Sequence, residues 1–68
     1  MESQARIKEF GIIEPGHRVR LREDAFKNVK TRDWVFAQME KDDKVLLMHE
    51  NGLYGLVVEI SDIDWKAI

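Results

Sequence analysis

An Asn-Gly pair separates two runs of mostly apolar residues in the stretch LLMHENGLYGLVVEI, residues 46 to 60. Both residue types tolerate the positive φ angles of a two-residue type I′ turn, which joins the strands of a tight β-hairpin. With Asn51 and Gly52 at the centre of the turn, the strand register follows. The predicted pairs, from the turn outward, are Glu50–Leu53, His49–Tyr54, Met48–Gly55, Leu47–Leu56, Leu46–Val57, Val45–Val58 and Lys44–Glu59. Apolar residues then meet apolar residues and the last pair joins opposite charges, so the sequence predicts a β-hairpin.

Two further strands are predicted before this hairpin. The segment HRVRLRED alternates arginines with Val19 and Leu21, a pattern typical of a half-buried strand. The segment DWVFAQME is rich in aromatic and branched residues and ends at KDD, whose Asp residues suit a turn. Between these two strands, the polar segment EDAFKNVKTRD is predicted to form a long loop.

The two ends of the chain have weaker patterns. Residues 1–15 are interrupted by Gly11 and by the EPG sequence, and we expect a loose arm or a short strand there. The segment SDID predicts one helical turn in which Ser61 caps free amide groups. The final WKAI is then expected to be a short closing strand.

Length and composition favour one small compact domain. The chain has 68 residues, 44% apolar and 35% charged, a mixture that supports a packed core inside a well solvated surface. It contains no cysteine, so the sequence favours a reducing compartment, and we expect a cytoplasmic location. The first ten residues lack the apolar core of a signal peptide, and no run of 18 apolar residues occurs, so no membrane association is expected.

The order of predicted elements is strand, long loop, strand, short turn, strand, tight hairpin, strand, helical turn, strand. This order resembles the SH3-like small β-barrels, and ENGLYGLV is similar to the NGxxGxxP stretch of signalling SH3 domains. The resemblance implies a mostly β fold, a five-stranded SH3-like barrel over residues 16–68 with one short helical turn before the last strand, preceded by the arm at 1–15. The ALYDY stretch, acidic first loop, tryptophan pair and helical-turn proline of signalling SH3 domains are missing. The resemblance therefore extends to the barrel alone and does not imply recognition of proline-rich peptides.

The residues that carry most enzyme chemistry are missing or isolated. Ser3 and Ser61 lie in the expected arm and cap, and no Gly-x-Ser-x-Gly motif occurs. His17 and His49 are solitary, so no metal site is predicted. Carboxylates also lie close together, but turn and capping roles account for them; they are Asp42 with Asp43 and Asp62 with Asp64. We expect a chain that is not an enzyme and has no cofactor.

Protein interaction is the function that this composition favours. Large aromatic side chains next to inward-facing residues are candidates for a partly exposed contact surface. The candidates are Trp34, Phe36, Tyr54 and Trp65. A small barrel also leaves sheet edges open to an added strand. The sequence therefore predicts a small non-catalytic protein-interaction module or accessory subunit that binds another protein or associates with itself.

Nucleic-acid binding is the alternative. Residues 1–32 carry eight Lys and Arg against five Asp and Glu, for a charge of +3, whereas residues 33–68 carry three against eight, for −5. Within the first half, six cations within fifteen residues form a set that a phosphate backbone would contact. They are Arg18, Arg20 and Arg22 on a strand face and Lys27, Lys30 and Arg32 on the loop that follows. Trp34 beside them would offer a stacking surface for an unpaired base.

Overall fold

The computed structural model describes residues 5–41 and 43–67 and shows a mostly β chain with two sheets and two short 3₁₀ helices. The strands are β1 (Ala5–Ile7), β2 (Gly11–Ile13), β3 (Arg18–Arg20), β4 (Asp33–Lys41), β5 (Lys44–Met48) and β6 (Gly55–Glu59). The first 3₁₀ helix is Ile60–Asp62 and the second is Trp65–Ala67. Strands β1 and β2 pair with each other, and the other four form an antiparallel sheet in the order β3-β4-β5-β6. Within the described residues, these ladders do not close into a barrel.

The register of the predicted hairpin is confirmed. Strands β5 and β6 pair from Lys44 opposite Glu59 to Met48 opposite Gly55, with no shift along the ladder. Beyond the last ladder pair, the amide of His49 donates to the carbonyl of Tyr54 at 2.8 Å. The apolar pairs and the charge pair therefore meet as the sequence predicts.

The predicted two-residue type I′ turn is wrong. The amide of Gly52 donates to the carbonyl of His49 at 2.8 Å, so the reversal is a turn over His49–Gly52 inside a four-residue loop. Gly52 has a φ of 76°, but Asn51 is not at positive φ. The side-chain oxygen of Asn51 instead accepts from the amide of Leu53 at 2.9 Å, and Glu50 and Leu53 do not form a ladder pair. Asn51 thus supports the loop through its side chain.

The predicted closing strand is also wrong. Residues Trp65–Ala67 form a 3₁₀ helix, in which the amide of Ala67 donates to the carbonyl of Asp64 at 3.1 Å. Strand-like contact is limited to one antiparallel bridge between Leu21 and Ile63. The indole of Trp65 donates to the carbonyl of Ile60 at 2.9 Å, which turns this segment back onto the first 3₁₀ helix.

The predicted helical turn after β6 is present as the first 3₁₀ helix, but Ser61 does not cap it. Residue Glu59 precedes the helix, and its amide donates to the side chain of Asp62 at 3.0 Å. Ser61 lies inside the helix and is exposed. Glu59 and Asp62 form a capping box, in which the side chain of each accepts from the backbone amide of the other.

The buried core draws on nearly every element. Its members are Ile7, Ile13, Val19, Leu21, Trp34, Phe36, Val45, Leu47, Val58, Ile63 and Trp65. The segment predicted as an arm or short strand thus contributes two of these residues, Ile7 and Ile13, which are 1% and 0% exposed. They lie in the same buried cluster as the four-stranded sheet. A domain boundary at residue 16 stays a prediction.

Candidate functional site

The four aromatic candidates for a contact surface have different surroundings. Trp34, Phe36 and Trp65 are 5%, 0% and 8% exposed and belong to the core, whereas Tyr54 is 62% exposed. Both indole N–H groups are satisfied internally, because Trp34 donates to the carbonyl of Thr31 at 2.9 Å and Trp65 is bonded to Ile60. In this structure the first three stabilise the core, and Tyr54 alone offers contact surface.

Tyr54 ends a row of rings that starts in the core. The ring of Trp34 lies 5.5 Å from that of His49, and the ring of His49 lies 5.9 Å from that of Tyr54, both edge-to-face. Such geometry is favourable for aromatic pairs. The imidazole also accepts a hydrogen bond from the amide of Asn51 at 3.2 Å. The row therefore fixes the hairpin loop to the sheet and holds Tyr54 at the surface.

Exposed apolar residues concentrate at the β5–β6 hairpin. The four large hydrophobic residues that are exposed in the described part of the chain are Ile12, Leu53, Tyr54 and Val57. Three of these lie within five residues of one another on this hairpin, with exposures of 78%, 62% and 48% for Leu53, Tyr54 and Val57. Strand β5 adds Leu46 and Met48, which are half-buried and face away from the core residues Val45 and Leu47. We call Leu46, Met48, Leu53, Tyr54 and Val57 the hairpin patch. Leu46, Met48 and Val57 lie on the outer face of the sheet, and Leu53 and Tyr54 extend the patch around the loop end of the hairpin.

The ladder register brings members of the hairpin patch into contact. Leu46 lies directly opposite Val57, and Met48 opposite Gly55. A Cβ added to Gly55 would lie 3.3 Å from the sulfur of Met48 and 3.4 Å from Cδ1 of Leu46, so these two side chains lean over the glycine. The glycine thus lets the apolar side chains of β5 cover the outer side of the sheet.

The sequence contains a signal for this patch. A sheet with one face in water normally alternates apolar and polar residues, whereas VLLM in β5 and LVV in β6 are continuously apolar. Such runs indicate strands with apolar side chains on both faces. One face of these strands packs in the core. Among the described residues, the side chains of the hairpin patch are not packed against that core.

The basic candidates are divided between structural and exposed positions. The guanidinium of Arg32 donates four hydrogen bonds to loop carbonyls, at 2.5 Å to Arg22, 2.7 Å to Ala25 and 2.6 Å to both Phe26 and Val29. These bonds gather the loop around one side chain. They hold the half-buried Arg32 against the loop, and its binding to nucleic acid stays a prediction.

Two of the arginines predicted on the strand face form ion pairs on the surface, and one of them, Arg22, lies after the end of β3. Arg18 lies 3.2 Å from Glu50, and Arg22 lies 3.2 Å from Asp24. The hydrogen bond and the charge of Arg22 lower the pKa of Asp24 below its ordinary value. Exposed pairs of this kind contribute little stability, but they reduce the positive charge offered to a polyanion. Of the other candidates, Arg20, Lys27 and Lys30 are exposed, and their binding to nucleic acid stays a prediction.

The two histidines considered for metal binding lie in different ring contacts. His17 contacts the ring of Phe10 at 5.1 Å, whereas His49 belongs to the aromatic row. Residues 5–41 and 43–67 contain no group of three metal-ligating side chains. Asp42 and Ser3 lie outside the described residues, and Asp43 lies in the β4–β5 turn, where its carbonyl accepts from the amide of Ile60 at 2.8 Å.

Both helical segments in the described part of the chain are too short to span a bilayer.

Comparisons with protein-family models, curated proteins and solved structures found no match to this chain.

Proposed function

We propose that this chain is a small, non-catalytic protein-interaction module or accessory subunit, and that the hairpin patch is its contact surface. One observation carries the proposal: three of the four exposed large hydrophobic residues in the described part of the chain lie together on one hairpin. An exposed apolar cluster on one hairpin of a small domain is typical of a surface that binds another protein. A cytoplasmic location belongs to the same proposal, supported by a chain without cysteine.

The construction of the patch supports this role. The aromatic row holds Tyr54 against His49, and the register fixes Leu46 beside Val57. A partner would therefore meet side chains that are already positioned, and it would lose less conformational entropy on binding. Tyr54 presents a large ring with a polar end, a combination that is frequent at the centre of protein interfaces.

We also propose that the sheet is related to the SH3-like small barrels. The order of β3, long loop, β4, β5, hairpin, β6 and 3₁₀ helix supports this relationship. The bridge between Leu21 and Ile63 returns the chain to β3 after that helix. Hydrogen bonds flank it on both sides, from Arg22 to Asp62 at 2.9 Å and from Asp64 to Arg20 at 2.8 Å. Backbone contacts across this bridge in an NMR structure would test the relationship.

Site-specific photo-crosslinking tests the interaction function. A photoreactive phenylalanine replaces Leu53 in the patch or, as a matched control, Ile12, which is 55% exposed on the other hairpin. In living cells the first probe should form a discrete cross-link to protein, and the control should not. Adding Met48→Lys to the first chain should abolish the cross-link, because a charge then lies within the patch. Equal cross-linking from both positions, or recovery of nucleic acid instead of protein, would contradict the proposal.

A further inference from the structure

We propose that two copies of this chain associate through their β6 strands, which pair antiparallel about a twofold axis at Val57. This inference rests on the proposed function, because it assigns a second copy of the chain as a partner of the hairpin patch. Strand β6 is the last strand of the sheet order and pairs only with β5 among the described residues. An unpaired strand edge is a template for another strand.

The backbone groups that face this edge follow from two hydrogen bonds. His49 bonds to Tyr54 at one end of the ladder, and Ile60 bonds to Asp43 at the other, both at 2.8 Å. In an antiparallel ladder, hydrogen-bonded pairs alternate with non-hydrogen-bonded pairs. Leu56 and Val58 therefore point their amides and carbonyls toward β5. The N–H and C=O groups of the alternate residues point toward the edge; these residues are Gly55, Val57 and Glu59.

The edge is complementary to itself. With the axis at Val57, the five residues of β6 pair completely, since Val57 faces its own copy and Gly55 faces Glu59 of the second chain. Glu59 keeps Lys44 as its cross-strand neighbour and meets no like charge. An axis at Glu59 would instead place two carboxylates opposite each other, which is unfavourable. Charge and strand length therefore both favour the axis at Val57.

Pairing in this register also joins the two patches. Leu46 lies beside Val57 in each sheet, so the axis creates a row of four apolar side chains across the dimer. Val57, which is 48% exposed in the single chain, becomes the centre of that row. The row removes apolar surface from water at the same place where the backbone edges bond to each other.

Asp62 limits the strength of this pairing. Its carboxylate already accepts from the amide of Glu59 at 3.0 Å, so that outward N–H is satisfied within the chain. Four intermolecular backbone bonds then form without competition: two between the Val57 residues and two from Gly55 amides to Glu59 carbonyls. A short interface of this kind is expected to give a weak dimer with a dissociation constant above the micromolar range.

Sedimentation velocity and amide hydrogen exchange on the purified full chain test the inference. The average mass should rise toward that of a dimer as concentration increases from low micromolar to near millimolar. Val57→Lys should weaken association by about tenfold or more, because two ammonium groups then meet at the axis. Ile12→Lys adds the same charge to another exposed apolar position and should leave association unchanged. In the unaltered chain, the Val57 amide should exchange more slowly at high concentration, whereas that of Lys27 in the loop should not change.

A monomer throughout this concentration range would overturn the inference, as would a dimer that is unaffected by Val57→Lys or that leaves the Val57 amide unprotected. The hydrogen-exchange measurement needs no substitution, so the outcome does not depend on how well a variant folds. A monomer that still forms the Leu53 cross-link to another protein would overturn self-association and leave the interaction function standing. A dimer without such a cross-link to another protein would support self-association and limit the function to assembly of this chain.

Discussion

Arg32→Met is expected to lower the free energy of unfolding by about 2–4 kcal/mol, a large effect for a residue near the surface. The four hydrogen bonds from the guanidinium to loop carbonyls set the scale. Bonds from a charged donor contribute about 1.5–3 kcal/mol each, so their sum has an upper bound of about 6–12 kcal/mol. The loop is partly exposed, however, and its freed carbonyls will bond to water. The net loss of unfolding free energy should therefore be about a third of that upper bound.

This loss is large compared with the stability of so short a chain. At about 0.05–0.15 kcal/mol per residue, 68 residues correspond to about 3–10 kcal/mol in total. For a domain of this size, each kcal/mol corresponds to about 4–8 °C in Tm, so Arg32→Met should lower Tm by roughly 10–30 °C. Urea and thermal unfolding followed by tryptophan fluorescence will measure both values, since Trp34 is bonded to Thr31 at the end of the loop.

The matched control is Lys30→Met, which removes one positive charge from an exposed position on the same loop. Its effect should stay within about 0.5 kcal/mol, as expected for a surface substitution without specific contacts. If both variants unfold at the same urea concentration, the hydrogen bonds of Arg32 do not stabilise the loop, and the reasoning from its geometry is refuted.

Three other predictions concern the core, the hairpin loop and a surface carboxylate. Phe36→Ala removes a fully buried ring and should cost about 3–5 kcal/mol, enough to unfold much of the population by circular dichroism, whereas Phe36→Leu should remain folded. Gly52→Ala should lose about 1–2 kcal/mol in urea unfolding because of the φ of 76°, and an equal loss for Gly52→Asn, a residue that tolerates positive φ, would contradict this explanation. The pKa of Asp24, measured by NMR titration, should be lowered by Arg22 and should rise in Arg22→Gln. Because this folded-state pKa is depressed, the associated stability is present above the unfolded pKa of Asp and is lost as pH falls through the folded value.

The hairpin register was predictable although its turn was not. A two-residue loop and a four-residue loop share the same centre, between Asn51 and Gly52, so both give the same strand pairs. The choice between them depends on contacts distant in sequence, because His49 packs against Trp34 and accepts from the amide of Asn51. Local propensity fixes the centre of a reversal, and tertiary contacts determine its length.

The last segment could not be assigned from its own residues. WKAI is apolar enough to be a strand, but Trp65 packs 5.6 Å from Phe10 and bonds to the carbonyl of Ile60. The contact with Phe10 depends on the N-terminal hairpin, whose pattern is too weak to be recognised in advance. A short segment adopts the backbone that its largest side chain requires, and here that side chain is an indole held from two directions.

Strand β4 shows the same limitation within a regular element. Simple alternation from Trp34 and Phe36 would turn Gln38 toward the core and Met39 toward solvent. A bulge between Phe36 and Gln38 shifts the register by one residue, so Gln38 is exposed and Met39 packs against the core. An extra residue reverses which side chains face inward. The sequence specifies this bulge only through the chemistry of the residues that follow it.

Of the candidate site, the sequence identifies Tyr54 but not its other four members, and it groups Tyr54 with three residues that are buried. Alternation along β6 points Leu56 and Val58 toward the core, and Tyr54, two residues before Leu56, points to the same side of the sheet. The pattern therefore groups Tyr54 with the core. The β5–β6 ladder ends at Met48, however, so Tyr54 lies beyond the last strand pair, where its ring packs edge-to-face against that of His49. Alternation predicts the face of the sheet toward which a side chain points. The side chain is buried only if another part of the protein covers that face. The exposed ring of Tyr54 thus arises where the alternating pattern extends further than the sheet.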